Sequence, residues 1–152
     1  MPEATLSLTR DQIEFFHANG YLVLEKLTEL QEIERLREIY DDLFRRRVGR
    51  ESGDQFDLGG ADEDGVDAVL PQILAPRKHA PEIAQGLFLA NAERIASQLL
   101  GDAASFNGDH AIFKPARTGA ATPWHQDEAY WSAAMAYHSF SLWMPLQEAT
   151  VE

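Results

Sequence analysis

The spacing of apolar residues shifts near Gly101, and that shift restricts the fold more than any other feature. Up to Gly101 apolar residues recur mostly at three and four, as a helix face requires. From Ala103 onward they alternate or cluster in short runs broken by proline and glycine. Helices therefore come first, and consecutive strands follow without helices between them. That order predicts an α+β fold with an antiparallel sheet, because parallel strands need long crossovers.

The helical part begins where Thr9 and Asp11 precede QIEFFHANG, with Ile13, Phe16 and His17 on one face and Gly20 as a stop. GYLVLEKL, from Gly20 to Leu27, carries Tyr21, Val23 and Leu24 in a compact apolar block and reads as a short buried strand. Thr28 is placed to cap a second helix, whose stripe is Leu30, Ile33, Leu36, Ile39, Tyr40, Leu43 and Phe44. Arg45, Arg46 and Arg47 complement the negative end of its dipole. Residues 50–68, rich in glycine and acid, show no period and read as an exposed loop. Asp62, Asp64, Gly65 and Asp67 do not follow the ligand order of a calcium-binding loop. After VLPQIL and the turn-like APRKHAP, a third helix is expected between Pro81 and Gly101. SFNGDHAIFKPARTG, TPWHQDEAYW and HSFSLWMPL then read as strands. In the last, Phe140, Leu142 and Met144 alternate against Ser139, Ser141 and Trp143.

With 152 residues the chain suits one domain, residues 1–152. Thirteen basic against twenty-five acidic residues give a net charge of −12. Nucleic acid and anionic membrane surfaces are therefore poor partners, although one or two local cations could still hold a small anionic ligand. The absence of cysteine excludes disulfides, thiolate catalysis and sulfur-rich metal sites. MPEATLSLTRDQ does not have the form of a signal peptide, and no apolar run is long enough to span a bilayer. A cytoplasmic protein is the expectation.

The chemistry concentrates in TPWHQDEAYW. On a strand, His125 and Asp127 would project to one side and Gln126 to the other. One imidazole and one carboxylate suit a borderline divalent ion such as Fe(II), whose two-histidine, one-carboxylate sites leave coordination positions open. A histidine merely hydrogen-bonded to an aspartate would show the same spacing. Ser132 lacks the flanking glycines of a nucleophile elbow, so a hydrolytic triad is not indicated.

The run FKPARTG, TPWHQDEAYW, SLWMPL and ATVE, with its Lys114-Pro115 step and a glycine turn at Gly119, resembles the phytanoyl-CoA dioxygenase family of Fe(II)/2-oxoglutarate oxygenases. The opening is similar too: a helix ending in Asn-Gly, then GYLVLEKL, then a long helix. The resemblance implies N-terminal helices packed on a double-stranded β-helix (jelly-roll, cupin-like) core. It also implies Fe(II), 2-oxoglutarate and O2 as cofactor and cosubstrates, and hydroxylation of a small organic substrate. Carried over by position, His125 and Asp127 are metal ligands, and Gln72, His110 and Trp143 approach the cosubstrate. Tyr130 and Trp131 would line the substrate pocket. For Gln72, His110, Trp143, Tyr130 and Trp131 ordinary packing is an equally simple explanation. Lys114 reads either as a contact to an anionic group or as a charged residue on a strand edge.

The chain departs from the family pattern after ATVE, before a downstream histidine ligand and the arginine that grips 2-oxoglutarate. The resemblance therefore implies a core truncated before its last strands. It leaves open a non-catalytic binding module that keeps the fold with an incomplete metal site. An incomplete sheet exposes edges, which favours self-association.

Overall fold

The computed structural model of the chain describes residues 2–60, 63, 65–66, 68–117 and 121–148. Three α-helices and a small antiparallel sheet organise them. Helix α1, Arg10–Asn19, starts with a capping box in which Thr9 and Gln12 satisfy each other's backbone N–H groups. It ends at Gly20, whose φ of 78° is the left-handed conformation that favours glycine. Helix α2, Leu30–Arg45, buries Leu36 and Leu43. Its cap is Glu29, which offers no side-chain bond, because the Thr28 hydroxyl, expected to cap, donates to the Glu32 carboxylate instead. Arg45 and Arg46 pair with Asp42 at the helix end. A 3-10 turn, Pro81–Gln85, then leads through Gly86 into α3, Leu87–Leu100.

The sheet consists of β1 (Gln55–Asp57), β2 (Pro71–Leu74) and β3 (His110–Ile112) in that order, both neighbours of β2 antiparallel to it. The expected order of helices first and strands after does not hold, because β1 and β2 precede α3; β1 moreover lies inside the segment expected to be all loop. Its anchor is Asp57, which accepts from the backbone N–H groups of Gly59, Val69 and Leu70 at 2.7 to 3.0 Å. Partial burial raises its carboxyl pKa, but those backbone donors outweigh it and the net shift is downward. Of the residues considered for calcium, Asp62, Asp64 and Asp67 lie outside the described residues.

Cross-strand pairing sorts the sheet into two faces. Gln55, Ile73 and Ala111 stand opposite one another on the face turned to the helices. Ile73 there is fully buried among Leu36, Leu43, Ala80 and Ile83. Phe56, Gln72 and Ile112 form the alternate row, with Leu74 paired to His110, on the face turned away. The segment leading into β3 is anchored: Arg77 pairs with Asp109 at 2.9 Å and stacks 3.5 Å over the Phe106 ring. A second core joins Leu8, Ile95 and Leu99 to Ile13, Phe16, Leu22, Leu24, Leu27 and Phe140. Each aliphatic side chain buried in these cores contributes on the order of 1.5–3 kcal/mol.

Two expected strands join no ladder among the described residues. In Gly20–Leu27, Leu22 and Leu24 turn inward while Tyr21 and Val23 face solvent. In His138–Leu146, Phe140 packs into the second core and Met144 and Leu146 against the first, leaving Trp143 outside. Each segment buries alternate side chains against helices, so the period of two is real without a ladder. The described sheet has three strands, fewer than the expected jelly-roll core.

Candidate metal centre

His125 and Asp127 sit outside the sheet, on a strap formed by residues 121–138. The strand expected over TPWHQDEAYW is replaced by a single 3-10 turn, Asp127–Tyr130. It forms because Ala129 N–H donates to the Gln126 carbonyl and Trp131 N–H to that of Glu128. Gln126, just before the turn, is extended (φ −123°, ψ 129°). One extended residue suffices to send the flanking side chains to the same side. His125 Nε2 and Asp127 Oδ1 accordingly stand 3.4 Å apart. The element is corrected; the expected convergence holds.

A backbone atom sets the chemistry of the imidazole. His125 Nδ1 lies 2.8 Å from the Pro123 carbonyl oxygen. A carbonyl only accepts, so Nδ1 carries the proton of this bond, and in the neutral ring Nε2 presents its lone pair toward Asp127. A lone pair facing a carboxylate is favourable only with a cation between them, a proton or a metal ion. Two ligand atoms bound cis at about 2.1 Å stand about 3 Å apart, close to the observed separation. A carbonyl holding the distal imidazole nitrogen is also the usual way of orienting a histidine ligand. These two donors fit a divalent metal but do not complete its shell: among the described residues no group of three or more histidine, aspartate or glutamate side chains converges.

The remaining expected site residues divide. The Tyr130 ring lies 6.5 Å from that of His125, edge to face, and is largely exposed. Trp131 packs instead on Tyr137, with ring centroids 4.8 Å apart, and the Tyr137 hydroxyl accepts from Ser132 N–H. Gln72, 7% exposed, and His110 share the sheet face turned away from the helices. Among the described residues neither hydrogen-bonds to His125 or Asp127. Trp143 is 78% exposed and makes no ring contact with the dyad among the described residues. Residues 118–120, with Gly119, lie outside the described residues. No lysine or arginine follows Arg117, so the strap has none of its own. The concavity of about 260 Å³ between α2 and the turn after β2, lined by Glu38, Asp42, Arg46 and His79, includes neither member of the dyad. The Pro123 carbonyl, which fixes the tautomer, carried no signal in the sequence because every residue has a carbonyl.

Comparison with known proteins places the chain in a family. The phytanoyl-CoA dioxygenase from Arabidopsis thaliana is 48% identical over 42 residues, which is 28% of this chain and 15% of that protein. Two crystal structures of EvdO2 from Micromonospora carbonacea var. aurantiaca are also similar. One superposes with a TM-score of 0.63 at 34% identity. The other, complexed with 2-oxoglutarate, gives 0.62 at 32%. Each covers 86% of this chain, and the chain spans about half (53%) of theirs. The family model "Phytanoyl-CoA dioxygenase (PhyH)" matches residues 16–152, nearly the whole sequence. The chain belongs to the phytanoyl-CoA dioxygenase family.

Proposed function

We propose that this chain carries part of the active centre of an Fe(II)/2-oxoglutarate-dependent dioxygenase that hydroxylates a small organic molecule. The observation that carries the reading is the His125–Asp127 pair, 3.4 Å apart, with Nδ1 engaged by Pro123 and Nε2 aimed at the carboxylate. Its support comes from the family match and from a similar structure complexed with 2-oxoglutarate. Bound there, iron would supply the oxidation of 2-oxoglutarate and substrate by O2. The residues of this chain orient it: Pro123 fixes the tautomer, Gln126 sets the bite, and Tyr130 flanks the imidazole. Gln72, His110 and Trp143 are proposed as cosubstrate contacts, and Trp131 with Tyr130 as part of the substrate mouth. The remaining ligands of a facial set, and the family's jelly-roll closure, are proposed to come from polypeptide beyond these residues.

Mn(II) titration followed by EPR tests the reading. With the remaining family core present, micromolar or tighter binding is expected, weakened at least about tenfold in His125→Ala and in Asp127→Ala. Binding indifferent to both substitutions would overturn it. With Fe(II), ascorbate and the remaining family core present, succinate release from 2-oxoglutarate should depend on His125. A second reading, a non-catalytic module that keeps the fold, is favoured by the two-donor set. Metal binding that never yields succinate would select it.

A further inference from the structure

The strap bearing His125 and Asp127 has little hold on the rest of the protein. Residues 121–138 are all exposed. Most of its hydrogen bonds are local: His125 to Pro123, Ser132 N–H to Tyr137, Ala134 N–H to Ser132, and the backbone turns at Ala129, Trp131 and Met135. Among the described residues, the hydrogen bond that leaves the strap runs from Lys114 Nζ to Thr122 Oγ1, at 2.9 Å.

We infer that Lys114 is a positioning residue: its ammonium, tethered to Thr122, holds the metal-binding strap against the face of the sheet that carries Gln72 and His110. This rests on the reading of His125 and Asp127 as metal ligands, but the tether itself is geometric. Lys114 follows β3 by two residues. Phe113 N–H donates to the Pro71 carbonyl, which prolongs the pairing of β3 with β2. The Phe113 ring lies 5.6 Å from that of Phe44 on α2, so it points to the helix side. Alternation then sends Lys114 to the opposite face, together with His110 and Ile112. Thr122 precedes His125 by three residues, within a span of about 10 Å, and Pro123 stiffens the link by fixing its φ. Pinning Thr122 therefore limits where the imidazole can go. An ammonium has three donors, so a bond to one hydroxyl leaves others for solvent or an anionic ligand.

Lys114→Met and Thr122→Val each remove the tether, and the pair tests it as a cycle. Amide hydrogen exchange at Ala129 and Trp131, whose N–H groups close the strap's own turn, should accelerate about threefold to tenfold in each, with no further gain in the double variant. Lys26→Met, which breaks only a surface pair with Glu29, should leave it unchanged. Lys114→Arg should restore protection. Mn(II) affinity should fall by a similar factor in both single variants. Unchanged exchange in both, or losses that add in the double variant, would overturn the tether. If exchange responds as expected while His125→Ala leaves Mn(II) binding intact, the tether stands and the metal reading falls.

Discussion

Asp54 shows how one carboxylate can hold the segment that feeds the sheet. It lies 2.6 Å from Lys78 Nζ, 2.8 Å from Ser52 Oγ and 2.9 Å from His79 Nε2. The Lys78 bond, then that of Ser52, draws its pKa down from 3.8 to about 2. Gly49 is needed beside it: its φ is +90°, and a β-carbon there would come within 3.0 Å of both Asp54 Cβ and His79 Nε2. Because the folded-state pKa is depressed, the ionised carboxylate favours the folded state. That contribution is complete above the unfolded pKa and disappears as pH falls through about 2. Asp54→Asn should therefore be less stable than the parent at pH 6, and the difference should shrink steadily between about pH 4 and pH 2. Urea midpoints measured across that range check it; a difference independent of pH would contradict the assignment.

Among the helices, the junction of α2 with α3 shows a long-range cap. Gly86, the N-cap of α3, has no side chain to offer the free N–H groups that follow it. Glu32 on α2 supplies the acceptor, with Oε2 at 3.0 Å from Phe88 N. It is mostly buried, and a β-carbon on Gly86 would fall 1.4 Å from its Oε1. Gly86→Ala should therefore evict the carboxylate and cost about 1–2 kcal/mol in urea unfolding, the range of a lost cap. Combined with Glu32→Ala it should cost no more than either change alone; additive losses would contradict the shared cap. Nothing in the local sequence around Gly86 announces Glu32, 54 positions earlier. By contrast, α1 and the stripe of α2 were legible because three/four spacing, Thr9 before the first turn and Gly20 after the last are local signals. Inward alternation at Phe140 and Met144 was legible as well, but not whether a ladder would form, since that depends on a partner distant in sequence. The His125–Asp127 convergence was readable for the same reason as the helices: it needs one extended residue. Its tether to Lys114 and the Pro123 bond needed coordinates.

Over the whole molecule, surface area exposes an imbalance. The chain presents 11,254 Å² to solvent, whereas a folded monomer of this mass presents about 7,700 Å². An excess of about 3,500 Å² on one chain is several times the roughly 800 Å² that each partner gives to a standard interface. Part of it is apolar surface around the strap and the outer sheet face: Trp124, Tyr130, Met135 and Trp143 are mostly exposed, with Leu74 and Ile112 on β2 and β3. β1 and β3 are both edge strands of the three-stranded sheet. Among the described residues no helix is long and apolar enough to cross a membrane, so a bilayer-spanning helix does not account for this surface. Isolated in solution, the chain is therefore expected to associate with itself through the outer face. Light scattering behind size exclusion should show a mass that rises with concentration over the micromolar range. Trp143→Ser together with Ile112→Ser should lower that mass without unfolding the helices, whose apolar stripes face the other way. A strictly monomeric parent at high concentration would mean that this face is hydrated as it stands, and would remove the reason to expect a covering polypeptide beside His125 and Asp127.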